Sequence, residues 1–225
     1  MGQKQVIKNI FWDVDGVLAN LNYAYFNFLT KHPKYRTDFG HIKWEDLPEV
    51  LPILPKYGAL ELKTHPVKGV EMDRDFCQSW EFFANRPLYP DAIEVLRELN
   101  QRGYCQFTMS ATFDVATKKK LLNQLLSEVT DFLTIECVQH GKFMHDSAKE
   151  DMLKFCLDKY GLKADETLLV DDRIYNIEAA EKVGVHPLRM RCEFTLPLPI
   201  ELQDVTEVHN MTEARDWLVN NTVSD

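Results

Sequence analysis

The chain has 225 residues, of which 45% are hydrophobic and 27% charged, enough to bury a sizeable core and too apolar for disorder. A formal net charge of −9 excludes nucleic acid and anionic membrane as general partners, since both need a positive surface, and an anionic ligand would need local cations. Five cysteines, Cys77, Cys105, Cys137, Cys156 and Cys192, show neither CxxC nor zinc spacing; with no signal-type h-region and no bilayer-length apolar run, they point to a soluble cytoplasmic protein.

The first apolar run, "IFW", ends on Asp13 and Asp15 just before Gly16. From about Asn20 to Asn85 the chain changes character. It holds an aromatic helix "NYAYFNFLTK", a Pro-broken middle "WEDLPEVLPILPKYG" and a helical piece "DRDFCQSWEFFAN", with no clear strand. Its aromatics, Tyr23, Phe26, Trp44, Trp80, Phe82 and Phe83, are expected to form the segment's own core. After Tyr89, strand and helix alternate. "DAIEVLRELNQRG" is a helix stopped by Gly103, "YCQFTMS" a strand, "DVATKKKLLNQLLSEV" a helix, "DFLTIECV" a strand and "SAKEDMLKFCLDKYG" a helix. "ETLLVDD" is a buried strand and "NIEAAEKVG" a short helix; a strand at 187–190, a Pro-rich stretch, a strand "TEVHN" and a helix "MTEARDWLVNN" complete the chain. Strand alternating with helix predicts an α/β fold, a Rossmann-like parallel sheet with helices on both faces, carrying an inserted small α-helical cap. The expected core is 1–19 with 86–225, and the expected insert is 20–85.

Two carboxylates about 4 Å apart repel by on the order of 4 kcal/mol at an effective dielectric near 20, so Asp13 and Asp15 need a cationic companion. Ser110 follows the second predicted strand, and Asp171 and Asp172 follow "LLV". In open α/β sheets the ligand site lies beyond the carboxyl ends of the strands, so these stretches should converge. An EF-hand loop also begins DxDG, but Val17, Leu18 and Ala24 occupy the places where it needs an acid or amide, a glycine and a glutamate. The histidines form no HExxH, and "HGKF" lacks the glycine of a P-loop. The lysine run from Lys118 to Lys120 reads as a solvated helix face.

In order along the chain, "DVDGVL", "FTMSA", a lysine and "LLVDDRIYN" resemble the four motifs of the haloacid dehalogenase superfamily of phosphohydrolases. A helical insert between the first two motifs is what that superfamily calls a type 1 cap. The resemblance implies a phosphomonoesterase acting on a small phosphorylated metabolite. Asp13 would be the nucleophile that becomes an aspartyl-phosphate, and Asp15 the acid and base for the leaving and entering oxygens. Ser110, helped by backbone N–H near Ala111, would bind a phosphate oxygen. Lys149, or Lys142 as the runner-up, would be the phosphate lysine. Mg²⁺ would be held by Asp13, the Asp15 carbonyl and Asp172, with Asp171 and Asn176 as orienting or water-mediated partners. Asn176 departs from the superfamily's usual "GDxxxD", whose last acid it replaces.

The substrate stays open among sugar phosphates, phosphoglycolate-like acids and nucleoside monophosphates. A phosphotransferase or mutase, a 5′-nucleotidase and a non-catalytic binder of a phosphorylated ligand or partner are the rival readings. A dehalogenase is disfavoured because a halide leaving group needs no second acid. Oligomeric state is not legible.

Overall fold

A computed structural model describes residues 5–50, 69–112, 114–139 and 148–223. After a short strand β1 (Gln5–Val6) comes β2 (Asn9–Trp12), buried at all four positions because it lies in the middle of a sheet. The chain then leaves the sheet for α1 (Leu21–Lys31), α2 (Arg36–Phe39), α3 (Leu47–Val50), α4 (Gly69–Gln78) and α5 (Trp80–Phe83). It returns through α6 (Ala92–Gln101), β3 (Cys105–Thr112), α7 (Val115–Leu125) and β4 (Leu133–Gln139). The remainder is α8 (Ala148–Tyr160), β5 (Thr167–Asp171), α9 (Ile174–Val183), β6 (His186–Met190), β7 (Glu207–Val208), α10 (Met211–Asn221) and β8 (Thr222–Val223).

Six strands form one parallel sheet in the order β4-β3-β2-β5-β6-β7. Successive strands step outward from β2 on one side and then start again from β5 on the other. The boundary between β2 and β5 is therefore a topological switch point, where two connections part and leave a crevice. Pairing of Trp12 with Val170 sets Asp13 and Asp171 side by side at its carboxyl edge.

Side chains alternate across the sheet. Ile10 and Trp12 of β2 pack with Leu96 and Leu99 of α6 and with Met211 and Leu218 of α10. Phe11 turns to the other face, against Met152, Leu153 and Cys156 of α8 and Ala180 of α9. Each such large apolar side chain contributes about 1.5–3 kcal/mol on burial. The inserted helices keep a separate core in which Tyr25 and Phe28 of α1 meet Phe76 of α4 and Phe82 of α5. Phe26, Trp44 and Phe83 line that core while Tyr23 and Trp80 are exposed, so the insert's aromatics pack mainly on one another.

Three details differ from the sequence expectation. The expected helical piece over 73–85 is two helices, α4 and α5, separated at Ser79. Helix α9 starts at Ile174, two residues before the expected Asn176. Ser110 lies within β3, which continues to Thr112 because β4 pairs with it that far. The β1–β8 pair, two residues each, was too short to show a period. Lys142, His140 and His145 lie outside the described residues, as does the end of the Pro-broken segment from 51 to 68. No helix among the described residues is long and apolar enough to cross a membrane.

Candidate active site

Asp13 follows the last residue of β2, and its N–H donates to the Val170 carbonyl at 2.9 Å, so the neighbouring strand fixes its backbone. The next residues turn back tightly, with the Leu18 and Ala19 N–H groups both donating to the Val14 carbonyl. Gly16 makes that turn at φ +92°, a left-handed conformation that favours glycine. Space makes the same demand: a Cβ at Gly16 would stand 2.7 Å from Asp172 Oδ2.

The carboxylates of Asp13, Asp171 and Asp172 offer oxygens within 4.8 Å of one another. Lys149, near the start of α8, sends its ammonium between two of them, 3.0 Å from Asp13 Oδ1 and 2.8 Å from Asp171 Oδ2. Asn176 Nδ2 donates to both Asp171 oxygens at 2.9 Å, and the Arg173 N–H donates to Oδ1 at 3.0 Å. Asp171 is thus held from several sides. Arg189 fixes its neighbour from behind, with Nε donating to the Asp172 carbonyl at 3.2 Å. Asp172 Oδ1 is buried and accepts no hydrogen bond from the described residues.

Three carboxylates crowd one ammonium in a largely buried place, and the proton affinities respond. Burial pushes Asp172 up to about 8, against the pull of Arg173 and with Asp171 and Asp13 adding to the rise. Burial likewise pushes Asp13 up to about 6; Lys149 opposes it, while Asp171 and Asp15 reinforce it. Burial weakens the charge on Lys149, but the attraction of Asp13 and Asp171 prevails and holds it above the ordinary lysine value.

Asp15 stands apart from this cluster. Its Oδ1 accepts a short hydrogen bond from Arg86 Nη1, and its Oδ2 one from Lys118 Nζ at 2.7 Å. Burial would raise its pKa, but the two cations outweigh that and hold the carboxyl well below the usual range. Burial pushes Lys118 below the ordinary lysine value, with the attraction of Asp15 opposing the fall and the repulsion of Arg86 adding to it.

These contacts correct one expectation and fill in another. Lys118 belongs to no solvated face: its side chain is 3% exposed and it reaches into the site, while Lys119 is half-buried and Lys120 exposed. The cationic companions expected for Asp13 and Asp15 include the protein's own Lys149, Arg86 and Lys118. A signal for Lys118 was present, since it lies three residues after Val115 and four before Leu122, on the face that α7 buries. Arg86 gave only its place, just before Pro87 at the return from the insert.

Ser110 is buried in β3, two positions beyond Thr108, which pairs with Trp12. It therefore sits at the carboxyl end of the strand beside β2, with Ala111 exposed next to it. No hydrogen bond among the described residues joins either of them to the acidic cluster.

Among curated proteins the chain is 29% identical over 118 residues to a phosphoglycolate phosphatase of Aliivibrio fischeri, a match covering 50% of this chain. The chain spans about half the length of that relative, 48%. Among solved structures it is similar to a predicted phosphatase of Clostridium acetobutylicum, at 16% identity and TM-score 0.66 over 96% of this chain and 99% of that one. It is also similar to a haloacid dehalogenase-like family hydrolase of Streptococcus pneumoniae, at 18% identity and TM-score 0.62 over 95% and 99%. These two likenesses concern the fold. Family-wide comparison matches residues 7–184, a stretch that contains every aspartate and lysine of the site just described. By that match the chain belongs to the haloacid dehalogenase-like hydrolases.

Proposed function

We propose that the chain is a Mg²⁺-dependent phosphomonoesterase of small phosphorylated metabolites, working through an aspartyl-phosphate on Asp13. The observation that carries this reading is the convergence of Asp13, Asp171 and Asp172 at the switch point of the sheet, with Lys149 among them.

A hard divalent cation suits this donor set. The clustered side chains are all carboxylates, they outnumber the one ammonium among them, and Asp172 Oδ1 is a buried oxygen with no partner among the described residues. Asp13, Asp172 and the Asp15 carbonyl would hold it, with Asp171 and Asn176 orienting them. When bound, it supplies positive charge for the transferring phosphoryl oxygens.

The chain's own groups carry the rest. Asp13 presents a carboxylate oxygen as nucleophile, which divides hydrolysis into two displacements. Lys149 keeps that carboxylate oriented and offers an ammonium to the phosphoryl group as charge moves onto it. Ser110 and the N–H near Ala111 flank the position from β3. Asp15 gives a proton to the leaving oxygen in the first displacement and regains one from the attacking water in the second, and Arg86 and Lys118 favour the ionised form that the second needs. Residues 20–85 act as a cap that excludes water and selects the substrate. The five free cysteines support a reducing, cytoplasmic setting.

The test is release of orthophosphate from an aryl phosphate with and without Mg²⁺, together with trapping of a phosphorylated Asp13 by borohydride reduction and mass spectrometry. Turnover unchanged in Asp13→Asn would overturn the covalent route, and transfer of phosphate only to an added sugar would overturn hydrolysis.

A further inference from the structure

Around Asp15 the charge runs the other way from the metal cluster. Two cations, Arg86 with a side chain 0% exposed and Lys118 at 3%, share a single carboxylate. Buried charge is unfavourable unless it is matched, and among the described residues Asp15 is the one carboxylate that hydrogen-bonds either cation, with Asp13 attracting Lys118 from farther off. Arg86 is also incompletely used. Nη1 is taken by Asp15 and Nε by the Phe83 carbonyl at 3.0 Å, but the buried Nη2 has no acceptor among the described residues. A guanidinium fork with a spare N–H is suited to a carboxylate or phosphate oxygen.

The location matters as much as the charge. The Phe83 ring of α5 lies 4.5 Å from the Arg86 guanidinium carbon and 5.9 Å from Lys118 Nζ, so both cations sit where the inserted helices meet the sheet. If the phosphoryl group is bound at Asp13 and the departing oxygen faces Asp15, the organic half of the substrate must come within reach of this pair. In a chain of net charge −9, a buried guanidinium N–H without an acceptor among the described residues suits an anion.

We infer that Arg86 and Lys118 are specificity-determining residues for a second anionic group, a carboxylate or a second phosphate, carried a few bonds from the ester oxygen. This rests on the phosphomonoesterase reading and names its substrate class.

The test compares three substrates with the Mg²⁺-loaded enzyme: 2-phosphoglycolate, ethane-1,2-diol bisphosphate and 2-hydroxyethyl phosphate, whose far end is an uncharged hydroxyl. At least one of the two with a second anionic group should exceed the hydroxyl compound in kcat/KM by roughly ten- to hundredfold, the range of a charged hydrogen bond. Which one does so identifies the anion. Lys118→Met should collapse that ratio toward unity, and Lys118→Arg should keep it. A ratio near unity in the unmodified enzyme, or one that survives Lys118→Met, overturns the inference and leaves a pair that only holds Asp15. Calorimetric binding of 2-phosphoglycolate and 2-hydroxyethyl phosphate to Asp13→Asn gives a reading independent of turnover. Preferential binding without phosphate release from any of the three would sustain the anion site and reject the phosphatase reading.

Discussion

Gly16 has no room for a side chain, because its missing methyl would press on Asp172 Oδ2 at 2.7 Å and its φ is already left-handed. Gly16→Ala should therefore cost about 1–3 kcal/mol of stability and weaken Mg²⁺ binding at the same time. Thermal unfolding and calorimetric titration of one sample would check both. Asp172 and Asp13 make a separate prediction. Their carboxyls, pushed up to about 8 and about 6 from 3.8, favour the protonated form in the folded, metal-free protein. A raised carboxyl contributes stability below its ordinary value and loses it as pH rises through the folded value. The metal-free protein should accordingly weaken from about pH 4 to about pH 8. A cation binds the ionised forms, so the gap in melting temperature between Mg²⁺ and EDTA should widen from pH 6 to pH 8. A gap independent of pH would contradict the assignment of these two acids as ligands.

The loop after β6 ties the inserted helices to the core. Glu193 accepts from Asn20 Nδ2 at 3.0 Å and from the Tyr89 hydroxyl at 2.9 Å, gripping both the outgoing and the returning linker with one carboxylate. Beside it, Phe194 takes a left-handed φ of 67°, uncommon for a bulky residue, and packs its ring 5.2 Å from Trp44 of the insert. Glu193→Ala should release both linkers, costing about 1–3 kcal/mol. Amide exchange near residues 19–22 and 86–90 should quicken, while exchange in β3 and β5 stays as it was. Elements were legible to different degrees. Helix α6 was plain in the spacing of its leucines and its stop at Gly103, because both are local facts of the chain. The break between α4 and α5 was hidden because Ser79 is an ordinary residue inside an aromatic run.

Across the whole molecule, the switch between β2 and β5 puts three acids from two distant segments at one edge, so a cation bound there should stabilise the fold. Saturation at a hundred times the dissociation constant adds about 2.7 kcal/mol. For a chain of this size, EDTA should then lower the melting temperature by roughly 5–10 °C. The sequence alone determined the alternation of strand and helix, the helical insert, and the placing of Asp13, Asp15, Asp171 and Asp172 after apolar runs. Those follow from periodicity and turn chemistry, which act over a few residues. Only the tertiary structure decided which cations meet which acids. Arg86 and Lys118 reach Asp15 across 71 and 103 positions of chain. A lysine in a run of three carries no local mark of its partner; packing of α7 and of the returning linker over the end of β2 buries it there, and burial gives the pairing its strength.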